Sequence, residues 1–411
     1  MTDTMSVTAP APLALDDGSP ARSAWSLSSD ILHVNHGSFG AVPVVAQERQ
    51  NTLRAEMEAA PVVWFPGLPA RVAAVRDAVA AFLGADAADL ALVPNASAGA
   101  SIVYSSLPVT AGVEIVVTDH GYGAVTMGAE RLARRWGGTV RTASIPLDAT
   151  PAEAHDAIMA ELGERTGLIV LDQITSATAR FMPVDTIAAV ARQRGIPLLV
   201  DAAHVPGVVA DPLVGIDCDF WVGNLHKFGC APRGTAALVA RGPLRDELYP
   251  LIDSWGSPYG YPERFDTQGT VDATAYLATP TSLEFIESTW GWDAARAYMA
   301  ELADYAEHTI ASAFSQFTGE DHRVDVGAPV NALRLVRLPS GLASSHPEAD
   351  ALRDRAVKEL GVEAAFTSFA GVGYFRLSTH FYNTAADFDE FAERCVPELV
   401  AWAASAASAR P

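Results

Sequence analysis

Short apolar runs alternate with amphipathic stretches through most of the chain after residue 31. A short apolar run bounded by polar or glycine residues predicts a buried strand, whereas apolar residues three or four positions apart predict one face of a helix. Helical spacing is clear in residues 128–136 and 186–194. Strands are predicted at residues 90–93, 114–118, 139–144, 168–171, 197–200, 220–222 and 235–239.

The order of these elements favours one fold class. Strands that alternate with helices are typical of a mostly parallel sheet covered by helices on both faces. After residue 270 the pattern changes to a long helical stretch over residues 274–315, interrupted near Trp290 and Gly291. A mixture of strand-like and helical segments follows and ends in a helix from about residue 386. We therefore predict an α/β protein with a three-layer large domain and a smaller C-terminal α/β domain.

Composition sets the expected domain division at the N-terminal side. The first 24 residues are rich in Ala, Pro, Ser and Asp, which is typical of a segment without a packed core. The predicted division is a disordered tail at 1–24, an N-terminal segment at 25–60, a large domain at 61–272 and a small domain at 273–411.

Charge and cysteine content exclude several classes of function. The 411 residues carry 28 basic and 49 acidic side chains, a net charge of −21, which disfavours binding to nucleic acids and anionic membranes. The cysteines, Cys218, Cys230 and Cys395, match neither a zinc site nor a disulfide framework. With no signal-peptide pattern and no apolar run long enough to span a membrane, we expect a cytoplasmic protein without a metal site.

Two apolar runs end in residues that can carry chemistry. Residues 198–204 read Leu-Leu-Val-Asp-Ala-Ala-His, and residues 220–227 read Phe-Trp-Val-Gly-Asn-Leu-His-Lys. Asp201 either caps the following helix or pairs with a cation beyond the strand end. Lys227 is either a solvated surface residue or a desolvated amine that can form a Schiff base. The sequence holds only one other lysine, Lys358, and apolar or small residues surround Lys227.

Asp201 and Lys227 together indicate a cofactor. About one strand–helix–strand unit separates them, so both should lie at the same edge of the sheet. An acid that keeps a pyridine nitrogen protonated and a lysine that anchors the cofactor and moves protons at Cα are what pyridoxal 5′-phosphate (PLP) requires. We therefore predict a PLP enzyme that acts on an amino acid.

Four motifs resemble a known family. They are Asp201-Ala-Ala-His204, Gly223-Asn-Leu-His-Lys227, Asn35-His36-Gly37-Ser38-Phe39-Gly40 and the segment Phe-Arg-Leu-Ser-Thr-His-Phe-Tyr-Asn at 375–383. The sequence resembles class V aminotransferase-fold enzymes and, within them, isopenicillin-N epimerase and its relatives, which include carbon–sulfur lyases that cleave cysteine conjugates. The resemblance covers about residues 34–383. It implies PLP fold type I and a homodimer with shared active sites.

The resemblance also implies roles for residues around the cofactor. Ala96 and Ser97, which follow a strand and open a helix, would bind the PLP phosphate. Asn224 would add a contact to that phosphate, although the family usually has a small hydroxyl residue there. Gly269 and Thr270 would reach across the dimer interface to the phosphate of the neighbouring subunit.

The ring of the cofactor has its own expected contacts. Tyr122 falls where the family stacks an aromatic or histidine ring, and His120 is a competing candidate. Ser176 would lie near the ring hydroxyl, although an ordinary turn serine fits the same pattern. His204 and His226 would lie close to the ring or its partners, with a structural histidine as the alternative for His204.

Substrate binding is expected in the C-terminal half. Arg376 matches the arginine that clamps the substrate carboxylate, because a guanidinium binds a carboxylate through two hydrogen bonds. A surface ion pair is the alternative, and the apolar neighbours of Arg376 favour burial. Asn35, His36 and Ser38 complete the expected substrate site. Trp255, Tyr259 and Tyr261 could line a substrate pocket or pack at an interface.

The expected reaction begins with loss of the Cα proton. It continues to epimerisation or to C–S β-elimination of a bulky amino acid or cysteine conjugate in specialised metabolism. Tyr122, His120 and the loop that contains Tyr259 are the candidates for a proton donor on the face opposite Lys227. A cysteine desulfurase is disfavoured, because no cysteine lies between Asp253 and Arg394.

Other functions stay open at this level. Transamination or decarboxylation-coupled deamination is the enzymatic alternative, and a non-catalytic PLP-fold binding or regulatory protein is the other. A nicotinamide-binding fold is disfavoured, because no strand is followed by a G-x-G-x-x-G turn.

Overall fold

The computed structural model describes residues 7–108 and 110–408. The strands are β1 (Leu32–His33), β2 (Leu90–Val93), β3 (Glu114–Thr118), β4 (Thr139–Ala143), β5 (Thr166–Asp172), β6 (Leu198–Asp201), β7 (Phe220–Asn224), β8 (Ala236–Ala240), β9 (Leu333–Arg337), β10 (Val362–Glu363), β11 (Phe366–Phe369) and β12 (Val372–Ser378). The α-helices are α1 (His36–Phe39), α2 (Val44–Ala59), α3 (Pro61–Leu83), α4 (Ala96–Ser106), α5 (Gly123–Arg135), α6 (Pro151–Glu161), α7 (Val184–Arg194), α8 (Thr274–Thr289), α9 (Trp292–Thr318), α10 (His346–Leu360), α11 (Ala385–Glu390) and α12 (Val396–Ser408). Across these described helices, none is both long and apolar enough to cross a membrane.

The chain forms two compact units. The small unit contains the described residues up to Ser38, Ala177–Arg180 and the described residues from Thr289 onward. The large unit contains Phe39–Ser176 and Phe181–Ser288. In this division α8 up to Ser288 belongs to the large unit, whereas the predicted boundary lay at residue 273, and the described residues up to Ser38 belong to the small unit.

A seven-stranded sheet forms the centre of the large unit, in the order β2-β8-β7-β6-β5-β3-β4. Strand β8 alone runs opposite to the other six strands of this sheet, which confirms the predicted α/β fold with a mostly parallel sheet. The inner strands are buried along their whole length because helices cover both faces, whereas the edge strand β4 is largely open to water and carries threonine and arginine.

Helices α4 and α5 cover one face of this sheet. Ile102, Val103 and Leu132 on these helices pack in one core with Leu199 and Val222 on the central strands. Leu199 and Asp201 point to the same face of β6, since side chains alternate along a strand. Asp201 therefore lies next to the helix-covered core, at the carboxyl end of the sheet.

The small unit has its own sheets and core. Strands β11, β12 and β9 form an antiparallel sheet, and β1 pairs with β10 in parallel. Helices α9 and α12 pack on this framework through a buried apolar cluster that includes Leu302, Phe314, Phe375 and Leu399. The pairing of β1 with β10 explains why the residues before Ser38 belong to this unit.

The expected disordered tail differs from what the structure describes. Residues 1–6 of that predicted segment lie outside the described residues. From residue 7 to 24 the chain makes specific contacts within the small unit: Ala21 is buried, and the Ala14 carbonyl accepts a hydrogen bond of 2.7 Å from the Trp290 indole. Apolar and indole partners explain why this polar segment is fixed in place.

A buried ion pair joins two distant segments of the large unit. Arg76 on α3 donates to Asp266 at 2.6 Å, and both side chains are buried. Burial raises the pKa of Asp266 to about 6, and the Arg76 charge opposes that rise. The Arg76 guanidinium therefore replaces water as the group that stabilises the charged Asp266 carboxylate.

Removing only the arginine should be strongly destabilising. We expect Arg76→Met to lower the free energy of unfolding by about 3–5 kcal/mol at pH 8, because Asp266 is left charged and buried. The loss should shrink at pH 5, where Asp266 can take up a proton. Denaturant titration measures both values. The double variant Arg76→Met/Asp266→Leu should recover most of the loss, and an equal loss in both variants would contradict this account.

Candidate active site

The carboxyl edge of the large unit's sheet gathers several of the residues predicted from the sequence. Strand β6 ends at Asp201 and strand β7 at Asn224, three residues before Lys227. Parallel strands bring their carboxyl ends to one edge, where α/β proteins bind ligands. Strand β5 ends there too, at Asp172.

Lys227 is held out of water beside a histidine. The side chain is buried, with 9% of its surface exposed, and Nζ lies 2.9 Å from Nε2 of His204. Lys358, by contrast, is exposed on α10. The turn after Lys227 is fixed by a hydrogen bond from the Cys230 N–H to the Lys227 carbonyl. Lys227 is therefore the lysine placed for chemistry in an enclosed site.

Asp201 has one occupied and one unsatisfied oxygen. Its Oδ1 accepts the Ala203 N–H at 3.0 Å, whereas its Oδ2 is buried with no hydrogen-bond partner among the residues that the structure describes. Burial raises the pKa of Asp201, while the Ala203 N–H and the Lys227 charge oppose the rise. A buried acceptor without a donor fits a cationic ring N–H, which is the partner a pyridine cofactor supplies.

Asp172 is a site residue that the sequence predictions missed. It is buried at the end of β5, and its register partner on β6 is Asp201. Burial, reinforced by the neighbouring Asp201, raises the pKa of Asp172 well above its usual range. The signal was present in the sequence, because the apolar run 168–171 ends in an acid just as the run before Asp201 does.

The first turn of α4 is capped by two asparagines. Asn95 Oδ1 accepts the Ala98 N–H at 2.8 Å, and Asn224 Oδ1 accepts the Ala96 N–H at 2.8 Å. The predicted phosphate contact at the Ala96 N–H is thus occupied by Asn224. Ser97, which lies between Ala96 and Ala98, offers a backbone N–H and a hydroxyl to a phosphate. Because Asn224 uses its Oδ1 for the Ala96 N–H, its Nδ2 group can act as a second donor.

Tyr122 and His120 lie in very different surroundings. Tyr122 precedes α5, the residue is 44% exposed, and its backbone N–H lies near enough to Asp172 to lower the pKa of that acid. His120 is buried, with Nε2 2.8 Å from the Ile145 carbonyl. A partly exposed ring at the sheet edge fits a stacking partner, so the geometry favours Tyr122 over His120.

The other predicted cofactor contacts are more scattered. His226 is half-buried with Nδ1 3.0 Å from the Thr235 carbonyl, and burial lowers its pKa to about 4. Ser176 is half-buried beyond the end of β5. Gly269 and Thr270 are exposed and line a cavity of about 1160 Å³ in the large unit. Tyr261 is a core residue whose hydroxyl donates to the Leu238 carbonyl at 2.6 Å.

The small unit contains the predicted carboxylate-binding arginine. Arg376 on β12 is buried, and its Nη2 donates to Ser38 Oγ at 3.1 Å and to Asn35 Oδ1 at 3.3 Å. The Ser38 hydroxyl in turn donates to Asn35 Oδ1 at 2.8 Å. These bonds fix one edge of the guanidinium through neutral oxygens. The structure therefore brings together Arg376, Asn35 and Ser38, which the sequence placed in one site.

His36 lies in a packed aromatic cluster of the small unit. Its ring stacks on His380 with centroids 3.5 Å apart, and its Nδ1 lies 3.3 Å from the Tyr382 hydroxyl. Both histidines are buried, and burial holds the pKa of His380 well below its usual range. The structure thus gives His36 a packing role beside the expected substrate residues.

Close backbone contact restricts the segment that carries Lys227. Gly40 has a φ of +73°, and a Cβ atom there would lie 1.9 Å from the His226 carbonyl oxygen. Gly207 has a φ of +91°, and its Cβ would lie 2.4 Å from the Phe228 carbonyl oxygen. Only glycine lets both segments approach the backbone on either side of Lys227.

Fold and site together define the class of fold type I enzymes that use PLP. The chain belongs to the aminotransferase class-V family, whose sequence pattern matches residues 68–391. This confirms the resemblance seen in the motifs.

Individual relatives agree with this assignment. The chain is 32% identical to isopenicillin N epimerase of Streptomyces clavuligerus over 93% of this chain and 98% of that protein. It is 25% identical to L-cysteine desulfhydrase of Arabidopsis thaliana over 90% and 88% of the two chains. A solved structure of a C-DES mutant with glycine covalently linked to its PLP cofactor has the same fold, with a TM-score of 0.78, 20% identity and coverage of 92% of this chain and 99% of that one.

A methyl group at Gly40 should disturb the backbone of the lysine segment. We expect Gly40→Ala to lower the free energy of unfolding by about 1–3 kcal/mol more than Gly234→Ala, as measured by denaturant titration. Gly234 is the matched control, because its φ of +89° imposes the same strain while its Cβ would meet nothing within 4 Å. Equal losses in the two variants would show that the contact with the His226 carbonyl does not matter.

Proposed function

We propose that this chain is a PLP-dependent enzyme that removes the Cα proton of an amino acid and completes epimerisation or C–S β-elimination. One observation carries the proposal: a buried lysine and a buried carboxylate with an unsatisfied oxygen lie at the same sheet edge, at Lys227 and Asp201. Buried polar groups in native proteins are nearly always hydrogen-bonded, so the unsatisfied oxygen of Asp201 is best explained by a ligand donor.

Residues of the large unit would hold the cofactor. When bound, PLP supplies an electron sink for the charge left on the substrate Cα. Asp201 Oδ2 would accept the ring N–H, and Tyr122 would cover one face of the ring. Ser97 and the Nδ2 group of Asn224 would bind the phosphate, with support from the positive end of the α4 dipole. Ser176 would lie near the ring hydroxyl.

Lys227 would act both as the covalent anchor and as the base at Cα. Its Nζ lies 2.9 Å from His204 Nε2, so the imidazole can accept or return a proton while the amine changes its charge. Burial excludes bulk water from this exchange, which protects the proton on its way to and from Cα.

Arg376 would bind the carboxylate of the substrate. Two N–H groups of a guanidinium fit two carboxylate oxygens, and this contact fixes the direction of the Cα–H bond. Asn35 and Ser38 hold one edge of Arg376, so the group is already oriented before the substrate binds.

The cysteines disfavour a desulfurase. Burial raises the pKa of the Cys218 thiol to about 12 and that of Cys395 to about 11, and it raises the pKa of Cys230 further. Buried thiols of this kind are poor nucleophiles. Elimination needs only a base and a sulfur leaving group at Cβ, which supports the lyase outcome. The similarity to an isopenicillin N epimerase supports epimerisation of a bulky amino acid in specialised metabolism as the second outcome.

We further propose a homodimer in which Gly269 and Thr270 reach the neighbouring subunit's phosphate site. Both residues line the 1160 Å³ cavity of the large unit, together with Trp255 and Tyr259. Trp255 is 89% exposed and Tyr259 is 62% exposed, which is unusual for large aromatic side chains and is typical of interface residues.

Spectroscopy with substrate analogues tests the proposed reaction. With PLP, the wild-type protein should show an absorbance band at about 410–430 nm that Lys227→Ala lacks. Cysteine conjugates and bulky L-amino acids are then added in deuterated water. Pyruvate formation identifies the lyase, and an inverted product with deuterium at Cα identifies the epimerase. A keto acid of the whole substrate or loss of CO₂ would select the transaminase or deaminase instead, and a wild-type protein that binds no PLP would overturn the proposal.

Replacing Arg376 should affect only substrates that carry a carboxylate. We expect Arg376→Lys to reduce kcat/KM by about 10- to 100-fold, because a point charge cannot make the two-bond contact. Binding of an amine analogue that lacks the carboxylate should stay unchanged, as followed by the shift of the cofactor absorbance. Arg337→Lys on β9 is the control, and an equal loss in it would argue against a special role for Arg376.

A further inference from the structure

Two carboxyl groups share the carboxyl edge of the large unit's sheet. Asp172 on β5 and Asp201 on β6 are register partners on adjacent parallel strands, so their side chains point to the same face of the sheet. Both are buried. This is the face that α4 and α5 cover. Burial raises the pKa of Tyr104 on α4, and the charges of Asp201 and Asp172 raise it further.

The two acids have different hydrogen bonds. Asp201 holds the Ala203 N–H with Oδ1 and keeps Oδ2 without a partner among the described residues. Asp172 instead faces the loop before α5: its Oδ2 lies 3.7 Å from the position that a Cβ atom on Gly121 would take, and the backbone N–H of Tyr122 is near enough to lower its pKa. Asp172 therefore connects β5 to the loop that carries the stacking candidate.

The charges around this pair do not balance if both acids are ionised. The groups that face Asp172 are Asp201 from β6, Lys227 from the segment after β7 and the neutral phenol of Tyr104 from α4. One ammonium group cannot compensate two buried carboxylates. Burial raises the pKa of both acids, and the negative charge of Asp201 raises that of Asp172 further.

On the basis of the proposed function, we propose that Asp172 is a positioning residue of the cofactor site. It retains the proton of the pair, so that the negative charge stays on Asp201, where a ring N–H would bind. It also fixes the backbone of Tyr122 at the stacking position. Asp172 acts through Asp201 and Tyr122 rather than by contact with the reacting atoms.

The proton can be tested on the protein without cofactor. The unfolded pKa of an aspartate is about 3.9, and a folded value above this makes folding less favourable as pH rises toward the folded pKa. Asn mimics the protonated acid and cannot ionise. The melting temperature of Asp172→Asn should therefore rise relative to that of the wild type between pH 5 and pH 8. A difference that stays constant or falls with pH would overturn the proposal.

Glu153, an acid whose pKa is lowered rather than raised by folding, provides the control. Hydrogen bonds from Thr150 hold the pKa of Glu153 below its usual value, so its contribution to stability is complete above about pH 5. The difference between Glu153→Gln and the wild type should therefore not change from pH 5 to pH 8. Any general effect of pH on the measurement would appear in this variant as well.

The positioning role is tested with bound PLP. Circular dichroism of the cofactor band reports how the ring is held. Asp172→Asn should keep the wild-type signal at pH 7.5, because it keeps an oxygen acceptor beside the Tyr122 N–H. Asp172→Ala removes that acceptor, so the signal should fall and PLP should bind about tenfold more weakly. A wild-type signal and affinity in Asp172→Ala would overturn the positioning role.

The two proposals fail in different ways. If the wild-type protein binds no PLP, the proposed function is wrong, whereas the pH dependence of Asp172→Asn still reports on the proton. If PLP binds through Lys227 and the two Asp172 variants behave as the wild type does, the proposed function stands and the role of Asp172 does not.

Discussion

The cost of holding charged groups out of water constrains the active edge of this protein more than any other interaction. Asp172, Asp201 and Lys227 are all buried at the carboxyl edge of one sheet. A buried charged group requires either an oppositely charged or hydrogen-bonding partner or a change in its protonation, so the polar groups nearby determine its charge. His204 faces the amine, the Ala203 N–H takes one carboxylate oxygen, and the oxygen that remains has a place for a cationic donor.

The backbone around this edge is fixed as tightly as the side chains. Gly40 and Gly207 approach the carbonyl groups of His226 and Phe228, the two neighbours of Lys227, at distances that no side chain allows. Gly40 contacts the residue before Lys227, and Gly207 contacts the residue after it. A lysine on such a segment has little freedom to move away from the sheet edge, so its reach is set by the backbone rather than by its flexible side chain.

The sequence predicted the parts of the structure that depend on local pattern. Apolar runs located the strands of the large sheet, and the residues that end them located Asp201 and Lys227. Asp172 follows the same pattern and was missed because no motif marked it. The bond from the Ala96 N–H to Asn224 joins residues 128 positions apart, and no local pattern encodes such a contact. The small unit was predicted only in outline, because its short strands β1 and β10 acquire their partners from distant parts of the chain.

That distance has a consequence for how the protein is made. The guanidinium of Arg376 is held by Asn35, 341 positions earlier in the sequence, and β1 pairs with β10. The large unit is synthesised after β1 and before β10, so it can begin to fold while the ribosome is still making the rest of the chain. The early segment must stay available, without its partner strand, until the last quarter of the chain emerges. The unit that holds Arg376 can therefore be completed only after the large unit has been synthesised, and the segments of the lysine site emerge before those of the arginine site.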